Sequence, residues 1–285
     1  VKATTNKFLL GLLAAGALTL NSCKKEEAVV TKSDNTKATT VSTVAKKQAA
    51  INQLTFKMAM FISGYAKAAN VGFKTNDEDS IPCLVTTIDS MSTPHTFTLD
   101  FGGSTGCKSI NGIDYKGNIV VEYSTQDISV VGTSFTVHFH NFTADTMNFD
   151  GDLILTNEGP SPAGNPVLGM QTNWTLNFKN NQFETTGANN LHVEMVENDP
   201  ADDYDNRQIY SGSGSGVAND GIAFTQTITT PIATNQGVCD FPLSGVLFVQ
   251  SPSLPDRTID YGSGNCDNEA TETVGAGSPT TIYLQ

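Results

Sequence analysis

The residues in this 285-residue chain whose types and spacing could do chemistry are five cysteines, four histidines and several aspartates in recurring surroundings. Cys23, Cys83, Cys107, Cys239 and Cys266 make an odd set, so one sulfur must stand outside any intramolecular pairing. Asp100 and Asp260 each precede an aromatic residue and a glycine, in Asp100-Phe101-Gly102 and Asp260-Tyr261-Gly262. Two such carboxylates could share a cleft as the acid and base of a hydrolase, or each could accept N–H donors of its own turn; the sequence leaves both readings open. His138 and His140 alternate along a strand-like run, which puts both imidazoles on one face. They make half a metal site, and with only His95 and His192 elsewhere neither a metal nor a cofactor is expected. Asp199, Asp202, Asp203, Asp205 and Asn206 supply oxygens without EF-hand spacing, so a solvated loop is expected there. No G-x-S-x-G, H-E-x-x-H or Cys/His nucleophile arrangement occurs. The Gly212-Ser213-Gly214-Ser215-Gly216 run lacks the Gly-Lys-Ser/Thr of a phosphate loop and is expected to be a flexible turn.

The composition narrows the partners. Sixteen Lys and Arg against 29 Asp and Glu give a formal charge of -13. That excludes a basic groove for nucleic acid, because phosphate binding needs clustered cations, and it excludes a polybasic patch for anionic lipid. With 38% hydrophobic residues the chain can bury a core. Its abundant Thr, with Asn, Gly and Pro for turns, leans toward an all-β protein.

The elements that position these residues begin at the N-terminus. Lys2 and Lys7 precede and flank an apolar run over residues 8–20, too short to cross roughly 30 Å of hydrocarbon as a helix. It has the pattern of a signal peptide over residues 1–22. Leu20-Asn21-Ser22-Cys23 resembles the lipobox of bacterial lipoproteins, although Asn21 is larger than the usual residue there. The resemblance implies that Cys23 is lipidated and becomes the first mature residue. Lys24-Lys25-Glu26-Glu27 resembles the charged export signal of surface-exposed lipoproteins of Bacteroidota. Cleavage before Cys23 would remove two lysines and no acid, taking the formal charge from -13 to -15.

Residues 23–43 read as the lipidated cysteine and a polar tether. Over residues 44–70, Val44, Ile51, Leu54, Met58, Phe61, Ile62 and Tyr65 recur at helical spacing, predicting one amphipathic helix packed on the domain. Short β runs follow at 84–90, 96–101, 117–124, 134–142, 151–158, 171–178, 191–196, 208–212, 221–229, 243–250, 257–261 and 280–285. Asp150-Gly151 and Asn219-Asp220-Gly221 are hairpin-turn signals.

Within residues 81–285 the chain repeats itself. Cys83, Asp100-Phe101-Gly102, Cys107 and a strand over 117–123 recur in order as Cys239, Asp260-Tyr261-Gly262, Cys266 and a strand over 280–284. The Cys-to-Asp spacings are 17 and 21, and the Asp-to-Cys spacings 7 and 6. Related units are therefore expected near 81–124 and 237–285. The fold expected is an all-β sandwich or an extended curved antiparallel sheet with internal duplication, preceded by the N-terminal helix.

These motifs resemble those of a family of uncharacterised lipoproteins from Bacteroidota, with an early D-F-G-x-G-x-C-like motif and a C-terminal [DY]-x-G-x-G-x-C-D-N motif. The matching residues are Asp100-Phe101-Gly102-Gly103 with Cys107, and Asp260-Tyr261-Gly262-Ser263-Gly264-Asn265-Cys266-Asp267-Asn268. The first copy is one residue longer, through Gly103-Ser104-Thr105-Gly106. The resemblance covers most of residues 81–285 and implies an exported location and this fold class; it brings no activity and no catalytic residues.

With Cys23 assigned to lipid, four cysteines allow three pairings, and the repeat selects Cys83 with Cys107 and Cys239 with Cys266. The expectation for the whole is a lipid-anchored outer-membrane protein facing the cell exterior. It would touch the membrane through its lipid and act as a binding or structural module for a glycan or protein ligand, because Thr- and Asn-rich β faces suit such contacts and Trp174 and scattered Tyr offer stacking platforms. The alternative is a carboxylate-dependent hydrolase of extracellular glycan or peptide. Peptide mapping without reductant should recover the two within-repeat pairs; a peptide linking Cys107 to Cys239 would overturn the pairing.

Overall fold

In a computed structural model of the chain, residues 83–284 are described, apart from 104, 109–113, 125–129, 145–146, 179–182, 197–206, 219, 236–238 and 240. The predicted signal region, Cys23, the tether, the helix over 44–70 and the acidic loop over 199–206 lie outside these residues. Fourteen strands form one antiparallel sheet. They are β1 (Val85–Asp89), β2 (His95–Asp100), β3 (Cys107–Lys108), β4 (Asp114–Tyr123), β5 (Ser134–Ala144), β6 (Met147–Pro160) and β7 (Pro166–Phe178). The second half comprises β8 (Phe183–Val196), β9 (Arg207–Ala218), β10 (Ala223–Asn235), β11 (Ser244–Ser251), β12 (Leu254–Ser263), β13 (Glu269–Val274) and β14 (Thr280–Tyr283).

Each strand pairs with its neighbours in sequence, so the sheet is a continuous meander from β1 to β14. β3 alone stands off this path. It resumes the line of β2 along β4, pairing Cys107 with Tyr115 after Asp100 has paired with Asn118. Of the two expected architectures, the single curved antiparallel sheet is the one observed. Alternation decides which face is dry. In β4 Ile119, Val121 and Tyr123 are buried, and in β5 Phe135, Val137 and Phe139. Side chains of this parity from β2 to β14 join one buried cluster. Adjacent strands rotate by roughly 20–25°, so a sheet of this size curls instead of lying flat, and its inner face becomes the core.

Bulges bend the long strands. Asp150-Gly151 is not a hairpin turn: β5 and β6 close at Ala144↔Met147, and Gly151 lies inside β6 at φ 137°. The register slips between Phe139 and Phe142, with Asn141 at φ 48°. An Asp-Gly pair suits a positive-φ bulge as well as a turn, which is why the sequence signal was ambiguous. By contrast Asp220-Gly221 does turn β9 into β10, with Gly221 N–H donating to Ala218 O at 2.8 Å.

The Gly-Ser run expected as a flexible turn is strand β9, paired on both sides by β8 and β10. Its glycines face inward. A Cβ on Gly214 would run into Asn189 Oδ1, and on Gly216 would come within 2.6 Å of the Phe224 ring. Side chains of the flanking strands thus occupy the space over β9. Gln226 Nε2 donates to Asn189 Oδ1 at 2.8 Å across Gly214. This is the aromatic and amide cover that lets glycine persist inside a sheet.

The repeat is visible as two three-strand units. Val85, Asp100 and Asn118 stand side by side on β1, β2 and β4; Val246, Asp260 and Thr271 do so on β11, β12 and β13. The strand matching β4 is therefore β13, which the sequence reading did not register, and the strand over 280–284 lies one position further out. Glu272 explains the omission. It points into the core, where Arg257 NH1 donates to its Oε1 at 2.7 Å and both side chains are under 10% exposed. Removing one partner of a buried ion pair costs about 3–5 kcal/mol, whereas replacing both with apolar residues is often neutral. Arg257→Met should lower the denaturation midpoint by that free energy and the Arg257→Met/Glu272→Leu double variant should regain most of it. A double variant no more stable than the single would count against the pairing.

Candidate functional site

Asp100 and Asp260 do the same local work. Asp100 Oδ1 accepts the Gly102 N–H at 2.8 Å, and Asp260 Oδ1 accepts the Gly262 N–H at 2.9 Å. Gly102 and Gly262 hold φ near 78° and 83°, which suits glycine, and the residue between is buried in each copy as Phe101 or Tyr261. The disulfides Cys83–Cys107 and Cys239–Cys266 close the two units with Cα separations of 5.5 and 5.6 Å. The carboxylates are not neighbours in the sheet, since eight strands, β4 to β11, stand between β2 and β12. Each is exposed and engaged with its own turn. This geometry is that of turn capping.

His138, His140 and His192 lie on the outer face, whereas His95 shares the inward parity of Phe97 and packs its ring 5.6 Å from that of Tyr123. His138 Nδ1 is 2.6 Å from Asp152 Oδ1, its register partner on β6, and Nε2 is 3.7 Å from Glu122 Oε1 on β4. The His138 and His140 rings stack 6.2 Å apart. His192 Nδ1 meets Glu158 Oε2 at 2.6 Å. Such surface pairs contribute little to stability. Among the described residues, no three His, Cys, Asp or Glu side chains group closely enough to hold a metal ion.

Between these pairs and the β9–β10 hairpin, rows of uncharged side chains cross the outer face. From Asp152 one row crosses Asn173, Ala188, Ser215, Thr225 and Gln250, and the next crosses Gln171, Asn190, Ser213 and Thr227, all exposed. Trp174 does not serve this face. Its parity is inward, its side chain is 3% exposed, and Gly187 on β8 makes room for it, a Cβ there lying 3.2 Å from the indole. A bulky apolar ring gains more from burial than from display, and the alternation of β7 carries it inward.

The first outer row runs into a cleft of ≈ 560 Å³. Thr225↔Gln250 is the outermost pair of β10 with β11, so Ala223 and Phe224 extend beyond the turn that joins β11 to β12. The overhanging β9–β10 hairpin supplies Ser215, Gly216, Val217, Ala223, Phe224 and Thr225 as one wall. Gln250, Ser251, Pro252 and Asp256 form the other. Asp256 is the one charged residue in this lining, and its main-chain oxygen accepts the Gly275 N–H at 2.7 Å. Ser251 is 8% exposed, and its hydroxyl has no hydrogen-bond partner among the described residues. Sequence reasoning missed this cleft because it depends on where one hairpin outruns the next; a mismatch between the 12- and 13-residue strands β9 and β10 and the 8-residue β11 was the available signal.

Comparison of the chain with protein-family models, with curated proteins and with solved structures found no match in any of the three.

At the buried aromatic position the two motif copies differ by one hydroxyl. Tyr261 OH is buried without a partner among the described residues, where Phe101 has no hydroxyl to satisfy, and burial pushes the Tyr261 phenol well above its usual range. Tyr261→Phe should therefore be neutral or stabilising by up to about 1 kcal/mol, while Asp260→Ala and Asp100→Ala should each lose about 0.5–1.5 kcal/mol with their cap. Urea denaturation measures all three. A Tyr261→Phe variant less stable than Asp260→Ala would show that the hydroxyl has a role not accounted for by this geometry.

Proposed function

We propose that the protein is a lipid-anchored outer-membrane protein, facing the cell exterior, whose β domain is a binding or structural module for a glycan or protein ligand. The observation that carries the reading is the cysteine inventory. Two disulfides take up four of five cysteines, and the fifth, Cys23, stands at the end of an apolar leader in a lipobox-like setting. Disulfides of this kind belong to oxidising compartments beyond the cytoplasm. A diacylated and then N-acylated cysteine holds a membrane firmly, each buried CH₂ contributing about 0.8 kcal/mol. The Lys24-Lys25-Glu26-Glu27 sequence supports the outward orientation. Uncharged hydroxyl and amide rows on the outer face suit contact with a neutral polar partner.

The test is metabolic labelling with an alkyne fatty acid in a bacterial host. Wild-type chain should carry label and sediment with membranes, and Cys23→Ser should lose both. Label retained by Cys23→Ser overturns the anchor. Protease treatment of intact cells should digest the β domain, and protection until lysis overturns the outward orientation.

A further inference from the structure

We propose that the cleft between the β9–β10 hairpin and the β11–β12 turn binds a short neutral saccharide, an inference that rests on the binding-module reading and names its ligand class. The cleft volume of ≈ 560 Å³ falls within the range of roughly 300–1,000 Å³ typical of small-ligand sites. Its chemistry is selective. Ser215, Thr225 and Gln250 offer hydroxyl and amide groups that both donate and accept, matching the dual character of sugar hydroxyls. Asp256 adds a strong acceptor, and an ionised acceptor makes the stronger hydrogen bonds. Val217 and Pro252 present apolar surface for the C–H face of a pyranose ring. Among the described residues no Lys, Arg or His lines the cleft, and the chain's charge of -13 opposes anions, so sulfated, phosphorylated and sialylated sugars are disfavoured.

Ser251 also lines the cleft, and its buried hydroxyl is one of several side-chain atoms without a partner among the described residues. A serine hydroxyl moves between three staggered positions, so it can turn toward a ligand at the cleft wall without backbone movement.

The experiment uses the full chain and ligand-observed saturation-transfer NMR with named probes: maltose, cellobiose, xylobiose, mannobiose and diacetylchitobiose as neutral disaccharides, and sialyllactose and a heparin disaccharide as anionic ones. At least one neutral probe should bind, and the anionic ones should bind at least tenfold more weakly. Asp256→Ala should weaken the neutral probe about tenfold. Ala223→Trp, at an exposed position, should block the cleft and abolish binding, and His192→Ala, on the outer face away from the lining, should leave it unchanged. Thermal melts matching wild type certify that the variants fold; a variant that melts early is replaced by Thr225→Val, expected to weaken the neutral probe severalfold. Failure of every neutral probe, equal binding of anionic probes, or binding unaffected by the cleft variants overturns the proposal. Sugar binding that survives both cleft variants removes the cleft while leaving the module reading intact. Loss of fatty-acid dependence on Cys23 removes the anchor without touching the cleft.

Discussion

One constraint organises this protein: every strand of the meander must keep its register with both neighbours, because a slip of one residue would turn its apolar set to water. Phe97 and Leu99 on β2 share an inner face with Ile119 and Val121 on β4, and the same parity runs on to Ile259 on β12 and Ile282 on β14. The meander makes this attainable, since each strand finds its partner next to it in sequence and loop-closure entropy stays small. The same arrangement leaves the ends weak. β1 and β14 stand at the two ends of the strand order, and the terminal strands of a sheet are bonded along one side only.

The duplicated unit answers that weakness. One copy lies toward each end of the sheet, and each carries a disulfide closing a span of 24 or 27 residues. In the chain-entropy model such a closure is worth about 3–4 kcal/mol. Cys83 ties the approach to β1 to the first residue of β3, and Cys239 ties the approach to β11 to the residues after β12. Asp100 and Asp260 cap the turn within each closed span. Among the described residues the middle of the sheet has no disulfide, although Asn157 on β6 caps the Gly159 N–H at 2.8 Å in the same manner. There β6, β7 and β8 hold by length and by apolar burial, with Leu153, Met170, Leu176 and Val193 nearly inaccessible.

Several features were legible because they are local. Alternation of apolar and polar residues marked β5, and the matched Asp-aromatic-Gly and Cys landmarks marked the duplication and the disulfides. What escaped was nonlocal. Nothing in Gly-Ser-Gly-Ser-Gly says that Asn189, Gln226 and Phe224 will fill the space above the glycines and make a strand of it. Glu269-Ala270-Thr271-Glu272 reads as solvated until Arg257 on the adjacent strand neutralises Glu272. Asp150-Gly151 carries the backbone requirement of a turn and of a bulge alike, and only the register of β5 with β6 distinguishes them.

By itself the sequence determined the class of fold, the strand parity, the duplication and the cysteine inventory, all of which are written in short-range spacing and residue type. Only the tertiary structure decided that the strands form a single sheet, that the paired aspartates cap separate turns, that the lone tryptophan faces the core, and that one hairpin outruns the next to open a cleft. Those outcomes depend on register and curvature, which arise when many strands settle together and no short window of residues contains them.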